Sequence, residues 1–185
     1  MAKLTIDADK IPCLPNLVAG LEVYNNVFNS STNSFTLITT PPVCVVIHIP
    51  DDNFAAAIRA VCPTCIDGDD NLLPPAASLT TLDVSNKSIA DLTGIHGFTA
   101  LQGLSCNENQ LTSLPTLPSS MTFLNSRNNQ LTGLPALPAS LTVLYCDYNL
   151  ITTLPALPAG LTQLLLNNNL LTNLPTLPNS ITRLD

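Results

Sequence analysis

Residues 141–160 read LTVLYCDYNLITTLPALPAG, and residues 161–180 read LTQLLLNNNLLTNLPTLPNS. Both follow one template, L-x-x-L-x-Φ-x-x-N-x-Φ-T-x-L-P-x-L-P-x-x, in which Φ is apolar. Stretches opening at Leu101 and Met121 obey it too, and a further copy opens at Ile181 and runs to Asp185. A fixed period of twenty residues decides the architecture. One such unit is too small to bury its own apolar face and must stack on copies of itself.

The segment L-x-x-L-x-Φ alternates inward and outward residues, which is the mark of a short strand. Stacked units pair these strands in parallel and build a concave sheet. Leu104, Leu124, Leu144 and Leu164 then form one interior column; Leu111, Leu131, Ile151 and Leu171 form a second, and Leu114, Leu134, Leu154 and Leu174 a third. Each fully buried leucine contributes roughly 1.5–3 kcal/mol, so these columns dominate stability. In LPTLP and LPALP the prolines fix φ and disfavour helix in the residue before them, so the return leg is extended. The expected fold is an α/β repeat: a leucine-rich-repeat solenoid with short parallel strands on the concave face, an extended proline-rich convex side and one capping helix. The ninth-slot residues Asn109, Asn129, Asn149 and Asn169 fall where the chain leaves each strand, and they are expected to form a structural ladder. A buried amide there satisfies turn and neighbour backbone groups that would otherwise cost about 1–3 kcal/mol each.

Three regions follow. Residues 1–44 read as the terminal repeats of a first block, because Met1, Leu4, Ile6, Ile11 and Leu14 keep the same register. A unit opening at Leu21 then decays into the Ser/Thr/Asn-rich stretch 29–40. Residues 45–78 are a junction. The apolar run Val43–Ile49 is expected as a buried strand, followed by a helix with Asp51 or Asp52 as N-cap and Phe54, Ala57, Ile58 and Val61 on one face. That helix is expected to cap the second block, 79–185. The block's first unit is atypical, with Lys87 in the Asn slot and an insertion around GIHGF.

Composition fits this reading and narrows the partners. Hydrophobic residues make up 45% of the 185-residue chain and charged ones only 10%, while sixteen prolines suit extended coil better than helix. A formal charge of −7 argues against nucleic acid or an acidic membrane, both of which call for Lys/Arg stripes. No apolar run is long enough to insert across a bilayer. The first ten residues lack the apolar stretch of a secretory signal, so either a signal has been removed or the sequence starts inside a larger protein.

The outward strand slots make the expected binding face. Phe123, Asn125, Arg127, Val143, Tyr145, Asp147, Tyr148, Gln163 and Leu165 fall there in three neighbouring units. The chain has three tyrosines, five phenylalanines and no tryptophan, yet three of these aromatics gather here beside an arginine, a combination enriched in binding hot spots. Cys106 and Cys146 occupy an inward slot two units apart, roughly 9–10 Å by strand spacing, and read as small core thiols beyond disulfide reach. Cys13, Cys44, Cys62 and Cys65 can pair three ways, and Cys13–Cys44 with Cys62–Cys65 is the favoured pairing. A redox role for Cys62-Pro-Thr-Cys65 wants the first Cys at a helix N-terminus, whereas here it follows a helix. His48 and His96 stand alone, without the second Cys pair a zinc site needs. Asp67, Asp69 and Asn71 have the spacing of a calcium loop, but Leu72 and Ser78 stand where its glycine and glutamate belong, so a solvated turn is expected. No metal or cofactor is expected.

The LPxLPxxLxxL units at 111–184 resemble the short repeats of type III secreted effectors of enteric pathogens. A longer stretch, 48–185, with IPDDNFAAAIRAV and LTTLDVSNKSIADLTGIHGFTALQGLSCNENQLTSL, is more similar to large cell-surface leucine-rich-repeat proteins of Bacteroidota. That resemblance implies a bacterial protein exported to the cell surface or medium, part of a larger parent. The expected function is a non-catalytic binding or adhesion module that presents its concave sheet to a protein or glycan. The alternatives are the recognition domain of a secreted effector, or a self-associating solenoid. Met1-x-x-Leu4 and Ile181-x-x-Leu184 occupy equivalent template slots, so open repeat ends invite head-to-tail stacking.

Overall fold

A computed structural model describes residues 46–185 and, before them, the strands Asn26–Asn29 and Ser34–Leu37. The chain divides into two compact units, Met1–Val46 and Ile47–Asp185. In the first, β1 (Asn26–Asn29) and β2 (Ser34–Leu37) pair antiparallel, with Asn26 opposite Leu37 and Asn29 opposite Ser34. The hairpin takes in part of the Ser/Thr/Asn-rich stretch 29–40. The sequence there reads NVFN-SSTN-SFTL, two β-prone runs around four small polar residues, which is a local hairpin signal. The repeats expected at 1–20 and the Cys13–Cys44 pair lie outside the described residues.

The run Val43–Ile49 was expected as a buried strand, but within its described part Val46 is exposed and only an isolated bridge, His48 to Asn71, is formed. Backbone bonds from Leu72 N to the Ile47 carbonyl and from Ile49 N to the Asp70 carbonyl hold it to the loop that follows the helix. Pro50 lacks an N–H and the helix starts directly after it, so pairing ends there.

Helix α1 (Asp52–Val61) is capped by Asp51, whose Oδ1 accepts from Phe54 N at 2.8 Å. Its buried face is Phe54, Ala55, Ala57 and Ile58, while Val61, expected on that face, is exposed. The last turn is tied down twice: Cys62 and Cys65 form a disulfide, and Arg59 pairs with Asp70.

The solenoid itself is a six-stranded parallel sheet in chain order: β3 (Thr81–Asp83), β4 (Gly103–Ser105), β5 (Phe123–Asn125), β6 (Val143–Tyr145), β7 (Gln163–Leu165) and β8 (Arg183–Leu184). Leu104, Leu124, Leu144 and Leu164 face one another in register. The step from Leu82 to Leu104 is two residues longer than the later ones, and a 3-10 turn at Ile95–Gly97 in the GIHGF insertion takes up the difference. The columns through Leu104 and Leu111 are fully buried down to Leu164 and Ile151, with Leu171 partly buried. On the convex side burial fades from Leu114 through half-buried Leu134 and Leu154 to Leu174, which was expected inside and is exposed. Extended proline-rich legs supply no second layer there, so each leg is covered only by its neighbours. The result is a leucine-rich-repeat solenoid.

The asparagine ladder forms as a repeated bond pattern. Oδ1 of Asn129, Asn149 and Asn169 accepts from the amides of Leu111, Leu131 and Ile151 at 3.0–3.1 Å. Each Nδ2 donates back to strand-end carbonyls of its own and the preceding rung, as Asn149 does to Cys146 and Ser126. In the unit where Lys87 replaces Asn, Asn109 of the next rung accepts from both Lys87 N and Ile89 N.

Candidate binding face

Strand alternation turns the third, fifth and seventh slots outward, and the short spacing between rungs lets diagonal neighbours meet. Phe123 and Tyr145 pack edge to face, with ring centroids 5.7 Å apart at 83°. The Arg127 guanidinium lies over the Tyr145 ring, 4.4 Å from its centroid. Tyr145 Oη donates to Gln163 Oε1 at 2.6 Å. Toward the N-terminal side, Ser85 Oγ and Asn125 Nδ2 both reach Asn107 Oδ1, at 2.8 and 3.0 Å. The face is therefore a continuous band of polar amides and hydroxyls with one aromatic–guanidinium cluster at its centre.

Asp147 holds that cluster in place. Its Oδ2 takes the Arg127 Nε bond, and its Oδ1 accepts from Asn167 N at 3.0 Å. Asp147 was expected to face a ligand, but it is 5% exposed and acts as a buried anchor for Arg127. Leu165 is a second correction: it sits in an outward slot yet is 2% exposed. Phe123, Asn125, Arg127, Val143, Tyr145 and Gln163 remain half-buried, available at their outer edges. Tyr148 is the exposed member and lies beyond the strand, in the turn that follows Asp147.

With its Nε engaged, the Arg127 fork makes no hydrogen bond through either Nη among the described residues. Gln163 keeps Nε2 as an unused donor among the described residues while its Oε1 is occupied. At the N-terminal edge, the hydroxyl and amide of Ser85 hold the Asp83 carboxyl below the usual range, with help from the Lys87 charge.

Residues that the template left unassigned hold the rungs together. Thr122, Thr142, Thr162 and Thr182 each donate Oγ1 to a carbonyl one rung back, at 3.0–3.2 Å. Ser120, Ser140 and Ser180 each place Oγ within hydrogen-bond reach of two carbonyls, one at the end of the preceding unit and one at the first residue of their own. The recurrence of Thr and Ser at fixed slots was the signal for both sets. Cys106 and Cys146 are free and buried, and Ser126 occupies the slot between them. The acidic loop closes on itself, since Asp67 Oδ1 accepts from Asp69 N and Asn71 N at 2.9 Å. Those bonds, first among them the one from Asn71, lower its pKa. No group of three or more His, Cys, Asp or Glu suited to a metal occurs among the described residues, and no described helix is long and apolar enough to cross a membrane.

No family model matches the chain. A stretch of 66 residues, 35% of this chain, is 42% identical to Internalin J of Listeria monocytogenes and spans 7% of that protein. The functional domain of InlJ from Listeria monocytogenes, which includes a cysteine ladder, aligns over 74% of this chain and 36% of its own, at 32% identity and a TM-score of 0.57. A Shigella effector leucine-rich-repeat domain aligns over 57% of this chain and 48% of its own, at 32% identity and a TM-score of 0.56. The chain thus spans less than half the length of each of these three. Its solenoid is of the leucine-rich-repeat type found in bacterial proteins.

Proposed function

We propose that the chain is a non-catalytic recognition module that grips a protein partner with the concave face centred on Phe123, Tyr145 and Arg127. One observation carries the proposal: a half-buried guanidinium is stacked on a tyrosine, fixed through Nε by a buried carboxylate, and left with both Nη donors unused among the described residues. Arg anchored this way loses little side-chain entropy on binding and presents a rigid fork, which suits a carboxylate or backbone carbonyl of a protein. A glycan is the weaker reading, because Arg127 already covers a face of the Tyr145 ring on which a sugar would stack. The similarity to an internalin and to a Shigella effector, both leucine-rich-repeat proteins, supports protein recognition by a bacterial chain. A surface or secreted setting, and an adhesive role of the kind implied by Bacteroidota surface proteins, belong to this proposal; the Cys62–Cys65 disulfide supports it, since such bonds persist outside the reducing cytoplasm.

Ser105 points outward from β4 and its side chain makes no hydrogen bond among the described residues, so Ser105→Arg adds bulk to the concave face without removing one. The test compares wild type, Ser105→Arg and Phe123→Ala in pull-downs from candidate partner cells, with a glycan array run in parallel. The expected result is a protein retained by wild type, lost by both variants, and a blank array. Retention by both variants, or glycan binding alone, sinks the proposal.

A further inference from the structure

Hydrogen-bonding capacity at the centre of the concave face is lopsided. The acceptors there are engaged by the protein itself. Asn107 Oδ1 accepts from Ser85 Oγ and Asn125 Nδ2, Gln163 Oε1 from Tyr145 Oη, and Asn125 Oδ1 from Arg127 N. Asp147 accepts from Arg127 Nε through Oδ2 and from Asn167 N through Oδ1. The donors are less engaged. Among the described residues, both Nη groups of Arg127 and Nε2 of Gln163 have no partner. Tyr145 holds both in place, its ring under the guanidinium at 4.4 Å and its hydroxyl on the Gln163 oxygen at 2.6 Å. What lies open is a fixed group of N–H bonds, and it calls for an acceptor.

We infer that the group seated on Arg127 is the carboxylate of an Asp or Glu side chain of the protein partner, with an apolar residue beside it. The inference rests on the concave-face reading and narrows it. A carboxylate has two oxygens in the geometry of two parallel Nη–H bonds, whereas one backbone carbonyl oxygen cannot fill both. Hydrogen bonds between charged groups are also roughly twice as strong as neutral ones. Asp147 offsets the Arg127 charge without closing the fork. Its side chain is 6% exposed against 34% for Arg127, so an incoming acid reaches the guanidinium and stays farther from the buried carboxylate. Attraction at the shorter distance outweighs repulsion at the longer one. Glu108 does not take the place. Its amide bonds to the Arg127 carbonyl, and its Oε1 lies 3.5 Å from Asn107 Nδ2. The apolar neighbour follows from Phe123 and Val143, which face each other in register on β5 and β6 and are half-buried. Phe123 touches the same Tyr145 ring that carries Arg127.

The test selects a random peptide library displayed on phage against the full chain. Peptides that bind wild type and lose binding to Phe123→Ala are concave-face ligands. Each is resynthesised with its Asp or Glu changed to Asn or Gln. The quantity read is the ratio of acid to amide affinity, which a merely structural defect in the chain leaves unmoved. Wild type should prefer the acid by about tenfold. Arg127→Lys, which keeps the charge and loses the planar fork, should retain only part of that preference. Arg127→Gln/Asp147→Asn, which removes both charges and strands no buried carboxylate, should abolish it. Concave-face peptides that lack an acidic residue, or that bind wild type equally well as amides, would overturn the carboxylate and leave the concave-face reading standing. So would an acid preference that survives undiminished in either variant. An absence of peptides sensitive to Phe123→Ala would overturn both. Binding of an oligogalacturonate, with no peptide enriched, would reject a protein as the source of the carboxylate.

Discussion

Asn149 shows how much of the solenoid rests on single side chains. Its Oδ1 accepts from Leu131 N, and its Nδ2 donates to the Ser126, Cys146 and Asp147 carbonyls, all beneath neighbouring rungs. Asn149→Ala strands these groups and should cost about 3 kcal/mol, read as a lower urea midpoint. Asn149→Asp should recover little of it: the acceptor for Leu131 remains, but a carboxylate now faces three carbonyls. The two core thiols respond to pH instead. Burial pushes Cys106 and Cys146 from an ordinary value of 9.0 up to about 12. Both states keep these protons below pH 9, so the thiols leave stability flat there. Above it the unfolded chain loses protons that the folded chain retains, so stability falls as pH rises from 9 toward 12. A urea-midpoint series over that range should show a shallower decline in Cys106→Ser/Cys146→Ser, a change already tolerated in this slot at Ser126. A slope equal to that of the wild type would mean the thiols are not buried as described.

Elements in this fold are short and are held mainly from outside. Helix α1 depends on Asp51, which caps it through Oδ1 and reaches across through Oδ2 to Ala90 N and Asp91 N at 2.8 and 3.0 Å. Removing that carboxylate takes away a cap and the clasp to the first rung together. Asp51→Ala should therefore cost about 2 kcal/mol, above the typical loss of a cap alone, while Asp52→Ala should be near neutral by thermal melting. The return legs carry one recurring backbone turn bond, from Met121, Leu141, Leu161 and Ile181 N to the proline carbonyl three residues earlier, and the twentieth-slot serines add side-chain ties across the junction. Gly160 occupies that slot without a hydroxyl, has open space where a Cβ would sit, and leaves the Ala139 and Leu141 carbonyls without the bonds that Ser140 and Ser180 supply in their rungs. Gly160→Ser should add about 1 kcal/mol to unfolding stability; an unchanged urea midpoint would show those carbonyls are already satisfied by water. The strands and the asparagine ladder were legible because a period repeated over several units averages out local ambiguity. Nothing repeats in Val43–Ile49, and composition alone cannot tell a buried strand from a strap ended by Pro50. Within the face, slot parity correctly sent Tyr145 and Phe123 outward. It could not show that Arg127 would draw Asp147 under cover or that Leu165 would be buried, because both depend on diagonal neighbours.

At the scale of the molecule, stability is laid out along one axis. Each strand from β3 to β8 bonds only to the next, and the convex leucines pass from buried Leu114 to exposed Leu174 in the same direction. In such a quasi-one-dimensional stack, free energy is a sum of unit and nearest-neighbour terms, so damage stays local when the damaged rung is already weakly coupled. Leu164 is fully buried between β6 and β8, and Leu164→Ala should leave a cavity costing about 2–5 kcal/mol. Leu104→Ala removes the same side chain from β4, which lies between β3 and β5 near the N-terminal end of the stack. Hydrogen exchange should separate the two. Leu164→Ala should strip protection from 161–185 and leave β3 to β5 near wild-type rates. Leu104→Ala should raise exchange throughout the sheet, because the rungs beyond it lose the buried surface they stack on. If both variants lower protection evenly from Thr81 to Leu184, the sheet unfolds as a single cooperative block, and the rung-by-rung account of its stability is wrong.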